Sequence, residues 1–469
     1  MRNVSPALTL LVFCTASFSS LPDAHATVDG SGTENSQPNI VVLFSDDAGF
    51  ADFGFQPNCR PDMKKLTPHI DSIAAHGVRF SNAYMAGCVC SPSRAGLMTG
   101  RYQQRFGHDN NIPPGYMKGG LPLTETFLPK RLQKLGYKTS LIGKWHLGYP
   151  DKYQPNKRGF DWFYGCLQGS RSYFPMDRPT PHRVFLDNTK PTPEKGYITD
   201  RIGDAACKFI RESRDKPFFI FVSFTAPHGP LQAKPGDLKL LDKIQNQRRR
   251  KYAGLVKAMD DNVGKILKAI DEAGIADKTL VVFTNDNGGQ TRTGANNAPL
   301  RGAKGSLWEG GVRVPMAMRW PGKIKKGSVI DSPVISLDFA PTIINAGGGK
   351  VQPDWKLDGV DLGDVLTGKS KKLDNRTLFW RRQGSGKMIS ARSGKWKLMR
   401  DRANPSSKPQ LFDLSTDIGE SRDLSEEHPQ QVKTLMAAIT KWEKQLKQPL
   451  WGPGSPGYQP AKRRRKKKK

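Results

Sequence analysis

Cys88-Val89-Cys90-Ser91-Pro92-Ser93-Arg94-Ala95-Gly96-Leu97-Met98-Thr99-Gly100-Arg101 is the stretch from which the rest of the chain is read. Ser91 is a good N-cap residue, and Pro92 suits a first helical turn, where a missing N–H costs nothing. The pattern predicts a short helix from Ser93 to about Thr99, stopped by Gly100. Cys90 then sits just ahead of a helix N-terminus, where backbone N–H groups and the helix dipole favour an anion. Arg94 lies four residues on and can face the same side. A nucleophile, a cation and a helix N-terminus together describe a site that processes an anion. The plainer alternative is a buried structural cysteine ahead of a capped helix.

Working outward, several strand-like runs end in polar residues. Ile40-Val-Val-Leu-Phe44 runs into Ser45-Asp46-Asp47, and residues 139–142 run into Gly143-Lys144-Trp145-His146-Leu147-Gly148. The apolar run 217–224 ends at Thr225-Ala-Pro-His228-Gly-Pro230, and 279–283 ends at Thr284-Asn285-Asp286-Asn287-Gly288-Gly289. Each ending is weak alone: paired Asp residues or Asp-Asn-Gly-Gly are usually turns, and a lone His is usually structural. Helical patterns separate these runs, at 65–80, 124–135, 200–212 and 245–273, with another beginning at Ser336. Alternating strands and helices predict an α/β domain with a mixed or largely parallel sheet. Ligands gather at the carboxyl ends of such strands, so Asp46, Lys144, His228 and Asp286 are expected to converge. Lys304 stands in the Gly-rich stretch 300–315 and is either an ordinary exposed lysine or part of that site.

The remaining stretches set the limits of the chain. Residues 1–26 read as a secretory signal, with Arg2 at the start, an apolar stretch at 7–18 and Ala24-His25-Ala26 as cleavage site. The expected location is therefore exported, periplasmic or secreted, with no transmembrane anchor. Residues 150–195 lack periodicity and read as loops around a cleft. A main domain is expected over 27–368, then a smaller one over 369–448 with four short strands and one amphipathic helix. Residues 449–469 read as a Gly/Pro linker and polybasic tail. Net charge is +31, of which Lys462 to Lys469 supply eight, so polyanions are candidate partners of the tail. The solvated-tail reading competes with that. Of six cysteines, none is spaced as a metal pair, and export permits disulfides whose pairing the sequence does not assign.

Cys90-Ser-Pro-Ser-Arg94 followed by Ala-Gly-Leu-Met-Thr-Gly-Arg101 resembles the signature of the type I, formylglycine-dependent sulfatases, a family that includes arylsulfatases and N-acetylgalactosamine sulfatases. The phrases around Lys144, His228, Asp286 and Lys304 resemble further blocks of that family, from about Asn39 to about Gly368 and more weakly to about Leu424. The resemblance implies an alkaline-phosphatase-like fold: a mixed sheet flanked by helices, with a smaller C-terminal antiparallel sheet and helix. It implies that Cys90 is oxidised to formylglycine by a formylglycine-generating enzyme. It also implies one calcium ion held by Asp46, Asp47, Asp286 and Asn287 with the group at position 90. Arg94, Lys144 and Lys304 would polarise the nucleophile and grip the sulfate, His228 would protonate the leaving oxygen, and His146 would accept a proton from the nucleophile. The expected substrate is an aryl sulfate or sulfated carbohydrate. Two other readings stay open: a phosphate or phosphonate monoester hydrolase of the same fold, and an inactive polyanion-binding protein.

Overall fold

A computed structural model describes residues 37–383, 387–404 and 406–459. The expected signal peptide and the basic tail lie outside the described residues. Strand β1 (Asn39–Ser45) is buried along its whole length. Its alternate side chains feed two different cores: Ile40, Val42 and Phe44 enter one, Val41 and Leu43 the other. That is why this run reads as continuously apolar.

Strands β2 (Val78–Phe80), β3 (Ala83–Tyr84), β4 (Lys138–Lys144), β5 (Trp162–Cys166), β6 (Leu186–Asp187) and β7 (Lys190–Pro191) follow in the chain. Then come β8 (Phe218–Ser223), β9 (Thr279–Asn285), β10 (Met316–Arg319), β11 (Ser328–Ile330) and β12 (Val334–Ile335). Ten of them form one sheet in the order β11-β2-β10-β9-β1-β8-β4-β5-β6-β7. The central strands β9, β1, β8, β4 and β5 are parallel, whereas β10 on one side and β6 on the other run antiparallel. Helices Pro68–Ala75, Ile198–Ser213 and Gln247–Glu272 cover one face. Cys90–Thr99, Leu128–Gln133 and Phe339–Ala346 cover the other.

A second, four-stranded antiparallel sheet is built by β13 (Thr377–Arg381), β14 (Met388–Ser393), β15 (Trp396–Asp401) and β16 (Gln410–Asp413), with helix Pro429–Glu443 against it. Its core is continuous with Tyr84, Leu307 and Leu337 of the main sheet's surroundings. Trp380, fully buried, donates its indole N–H to Met85 O at 2.7 Å. A buried charge network adds to that seam. Lys397 lies 2.8 Å from both Glu309 and Glu420. All three side chains are wholly buried. Burial alone would raise the Glu309 carboxyl, but Lys397, Arg313 and Arg392 outweigh it and hold it at about 2.

Several local readings are corrected. The 65–80 pattern is a helix only over Pro68–Ala75; Gly77 then lies so close to Met318 O that a Cβ would meet it at 2.0 Å, and Val78–Phe80 joins the sheet. The 124–135 pattern is helical only over Leu128–Gln133, because Pro129 suits the first turn and not a helix interior. Within 150–195 the chain forms β5 and the β6–β7 hairpin; Gly165 and mixed polarity had hidden the strand signal. Residues 449–459 are no free linker: Trp451 is buried. Cys59, Cys88, Cys90, Cys166 and Cys207 are all free thiols. No described helix is long and apolar enough to cross a membrane.

Removing Lys397 leaves two buried carboxylates short of a counter-charge. Lys397→Met is expected to lower stability by about 3–5 kcal/mol, read as a fall in unfolding midpoint in urea.

Candidate active site

The helix that carries Cys90 spans Cys90–Thr99 and every residue in it is buried. Here the sequence expectation fails in detail: Val89 is the N-cap, Cys90 is the first helical residue, and Ser91 does not cap. The Ser91 hydroxyl is used elsewhere, 2.8 Å from the His146 carbonyl. Gly100 does end the helix, in the left-handed conformation.

The endings of β1, β4, β8 and β9 meet beside Cys90, as parallel strands of one sheet require. Asp46 follows β1 and Lys144 ends β4; both are fully buried and their charges pair at 2.5 Å. Cys90 Sγ lies 3.7 Å from Asp46 Oδ1 and 3.2 Å from Lys304 Nζ. Lys304 also reaches the Asp47 carboxylate at 2.7 Å. Asp286 follows β9; its Oδ1 accepts from the Asp47 N–H at 3.1 Å and its Oδ2 from Arg94 at 3.4 Å. Asn287 donates its side-chain amide to Asp47 at 2.8 Å. His228 Nε2 stands 3.5 Å from Asp47, while its Nδ1 donates to Gly229 O at 2.6 Å. Ligand-type atoms of Asp46, Asp47, Cys90 and His228 all lie within 4.8 Å of one another.

Electrostatics follow from burial and crowding. Burial pushes the Cys90 thiol up to about 12, and the Asp286 charge adds to this. Burial and the neighbouring Asp46 carboxylate raise Asp286 to about 7. Burial would raise Asp47 too, but Lys304, His228 and Lys144 overcome it and hold it at about 2. For Lys144 and Lys304 burial favours the neutral form, yet the surrounding carboxylates hold both above the ordinary lysine range. Burial pushes His228 down to about 4, with Asp47 opposing. His146 is held well below its usual value by burial first, then by Lys144 and Arg94, so its ring is neutral.

Two site residues, Asp47 and His146, have positive φ, at 67° and 63°. Such backbone costs roughly 1 kcal/mol or more outside glycine and persists where surrounding contacts fix it. Gly169 packs on the His146 ring so closely that a Cβ would meet Cε1 at 2.4 Å. The open space in front of these groups is a cavity of about 180 Å³, lined by Cys90, His146, His228 and Lys304 together with Asn111, Tyr149 and Gln168.

Some supporting residues escaped the sequence reading. Ser223 accepts from Arg94 Nη1 at 2.5 Å and donates to Lys144 O at 2.8 Å, tying two predicted site residues together. It is the one polar residue in the apolar run of β8, which was its signal. Glu420 fastens the loop carrying Lys304, through Glu309 N at 2.6 Å and through Arg301, which donates to its carbonyl at 2.9 Å. No local pattern marks Glu420, because the partners through which it holds this loop, Glu309 and Arg301, are more than a hundred residues away.

The sulfatase family model matches residues 38–349. This chain belongs to the sulfatase family. A second model, the C-terminal part of N-sulphoglucosamine sulphohydrolase, matches residues 303–448. Arylsulfatase J of Mus musculus is 34% identical over 341 residues, 71% of this chain and 56% of that protein, so the match spans little more than half of that relative's length. Arylsulfatase G of Rattus norvegicus is 30% identical over 87% of this chain and 86% of its own. Among solved structures, Ps i-CgsB in complex with k-i-k-neocarrahexaose is 36% identical, with a TM-score of 0.82 over 88% of this chain and 94% of that one. PsFucS1 sulfatase from Pseudoalteromonas sp. is 25% identical, with a TM-score of 0.75 over 87% and 90%. The architecture is the alkaline-phosphatase-like fold that the sequence led us to expect.

The raised thiol makes a direct prediction. In protein whose Cys90 is an unmodified thiol, it is expected to resist alkylation by iodoacetamide at pH 8, because a thiol near 12 holds almost no thiolate there. Peptide mass spectrometry on native and unfolded protein checks this: labelling at position 90 should appear only after unfolding.

Proposed function

We propose that this sulfatase hydrolyses sulfate monoesters of sulfated carbohydrates, using a formylglycine made from Cys90 and one calcium ion. The observation that carries the reading is the buried cluster at position 90: one side chain flanked by an Asp46 carboxylate and a Lys304 ammonium at the end of a helix. The oligosaccharide in the Ps i-CgsB complex supports the carbohydrate part. Export of the mature chain belongs to the same proposal. So does a role for the basic tail, outside the described residues, in contacts with polyanions and not in the chemistry.

The residues fit calcium. Asp46, Asp47, Asp286 and Asn287 offer only oxygen, as a hard cation requires. Asn287 Oδ1 is buried without a hydrogen-bond partner, an orphaned acceptor that a cation would satisfy. Burial first, and then the neighbouring Asp46, raises the Asp286 carboxyl, and a bound cation would offset both. Calcium held there would supply positive charge for the sulfonate oxygens. A formylglycine would supply, as its hydrate, the oxygen nucleophile that a thiol near 12 cannot be.

The chain's own groups then divide the work. Lys144 and Lys304 bind sulfate oxygens, and in a buried site such fixed charges count for more than they would in water. Arg94, locked by Ser223 and the Lys144 carbonyl, orients position 90. His228 delivers a proton from Nε2 to the leaving alcohol oxygen; a bound anionic sulfate favours the protonated ring that this needs. His146 is neutral and its Nδ1 has no partner, so it is free to take a proton from the side chain at position 90.

Position 90 of protein from a competent host should carry an aldehyde reactive with a hydrazide, and fully active protein with a free thiol there would end this reading. Matched aryl sulfate and aryl phosphate esters should give the larger kcat/KM for sulfate; the reverse order would move the chain to phosphate or phosphonate ester hydrolysis. Calcium should raise the thermal midpoint of the chelated protein, and Asp286→Asn should remove most of that rise.

A further inference from the structure

The segment after the last helix is docked on the loop that walls the cavity. Lys447 N donates to Gln104 O at 3.0 Å and Leu450 N to Gly107 O at 2.9 Å. Trp451 donates its indole N–H to Asn110 O at 2.9 Å. The Asn110 amide donates back to Trp451 O at 2.8 Å and Pro453 O at 2.9 Å. The buried indole stands edge-on to the His108 ring, 4.7 Å between centroids.

His108 is itself fully buried, and burial keeps its ring neutral. Its Nε2 lies 2.6 Å from Ser91 Oγ, and Ser91 Oγ lies 2.8 Å from the His146 carbonyl. A carbonyl can only accept, so Ser91 donates to it and accepts from His108 Nε2–H. That assignment fixes the tautomer and leaves His108 Nδ1 the bare nitrogen, which has no partner. The Ser91 N–H is in turn held by Asn111 Oδ1 at 2.9 Å. Trp451, His108 and Ser91 thus form one relay. It ends beside Cys90 and on the backbone of His146, whose φ of 63° needs fixing. Neither His108 nor Trp451 lines the cavity.

We infer that His108 and Trp451 are positioning residues for ester hydrolysis. Residues 447–454 act as a strap that seals His108 from water. Through Ser91, the sealed ring holds position 90 and the His146 backbone in register. The inference rests on the sulfatase reading of the site.

The test uses the full-length, aldehyde-bearing enzyme and an aryl sulfate. No turnover by the unaltered enzyme would count against the sulfatase reading, not against the strap, so that is measured first. His108→Phe and Trp451→Ala are expected to lower kcat roughly 5- to 30-fold, the effect of one lost or unsatisfied buried hydrogen bond. KM should stay within about twofold, the pattern of a defect outside ground-state binding. Aldehyde occupancy at position 90 should be unchanged by mass spectrometry. His108→Gln keeps an N–H donor and should recover most of the loss. Trp451→Ala combined with Ser91→Ala should cost no more than Ser91→Ala alone, because both act on one relay. Should Trp451→Ala fail to fold, His108→Phe and His108→Gln read the same relay from its middle. Strict additivity, a rise in KM with kcat intact, or His108→Gln no better than His108→Phe would overturn the inference.

Discussion

Charge neutralisation in a buried space governs this molecule. Asp46, Asp47 and Asp286 lie almost wholly out of water, as do Lys144 and Arg94, with Lys304 nearly so. Each of these charges would be prohibitively costly alone. Together they are tolerable because the parallel strands deliver them to one place, where cation and anion alternate around Cys90. The balance is incomplete: Asp286 remains raised and Asn287 Oδ1 remains without a partner. A cation bound there would offset both. The strained backbone of Asp47 and His146 belongs to the same economy, held by contacts that a softer scaffold would not supply.

The C-terminal part of the chain is a working partner of the main sheet. Glu420 and Lys397 clamp Glu309 and, with it, the loop that carries Lys304. Trp380 reaches across to Met85, just ahead of the Cys90 helix. Residues beyond 447 close over His108. Three separate attachments thus bear on the surroundings of Cys90: the Lys304 loop, Met85 and His108. The groups around Cys90 are thus held in part by elements outside the cavity lining, as a preorganised site requires.

Legibility in the sequence divided along physical lines. Apolar runs such as 40–44 and 279–283 were plain as strands, since a strand buried on both faces needs uniformly apolar residues. Polar residues at their ends pointed to a common edge, and the structure gathers Asp46, Lys144, His228 and Asp286 there. Less was legible where local signals conflicted. Ser91 looked like a cap, but its hydroxyl finds a better partner in the His146 carbonyl, fifty-five positions along the chain. Residues 449–459 looked like a linker from their glycines and prolines, yet Trp451 outweighs them by burying its indole.

The sequence by itself determined the alternation of strands and helices, the motif around Cys90, and which polar residues stand at strand ends. These depend on short-range periodicity and turn chemistry, which neighbours along the chain settle. Only the tertiary structure decided how those residues are charged, which backbone positions are strained, and which distant groups hold them. Burial sets the Cys90 thiol near 12 and Asp286 near 7, and burial is a property of the packed whole. Ser223, Glu420, His108 and Trp451 acquire their parts in the same way, through contacts across the fold that no window of sequence contains.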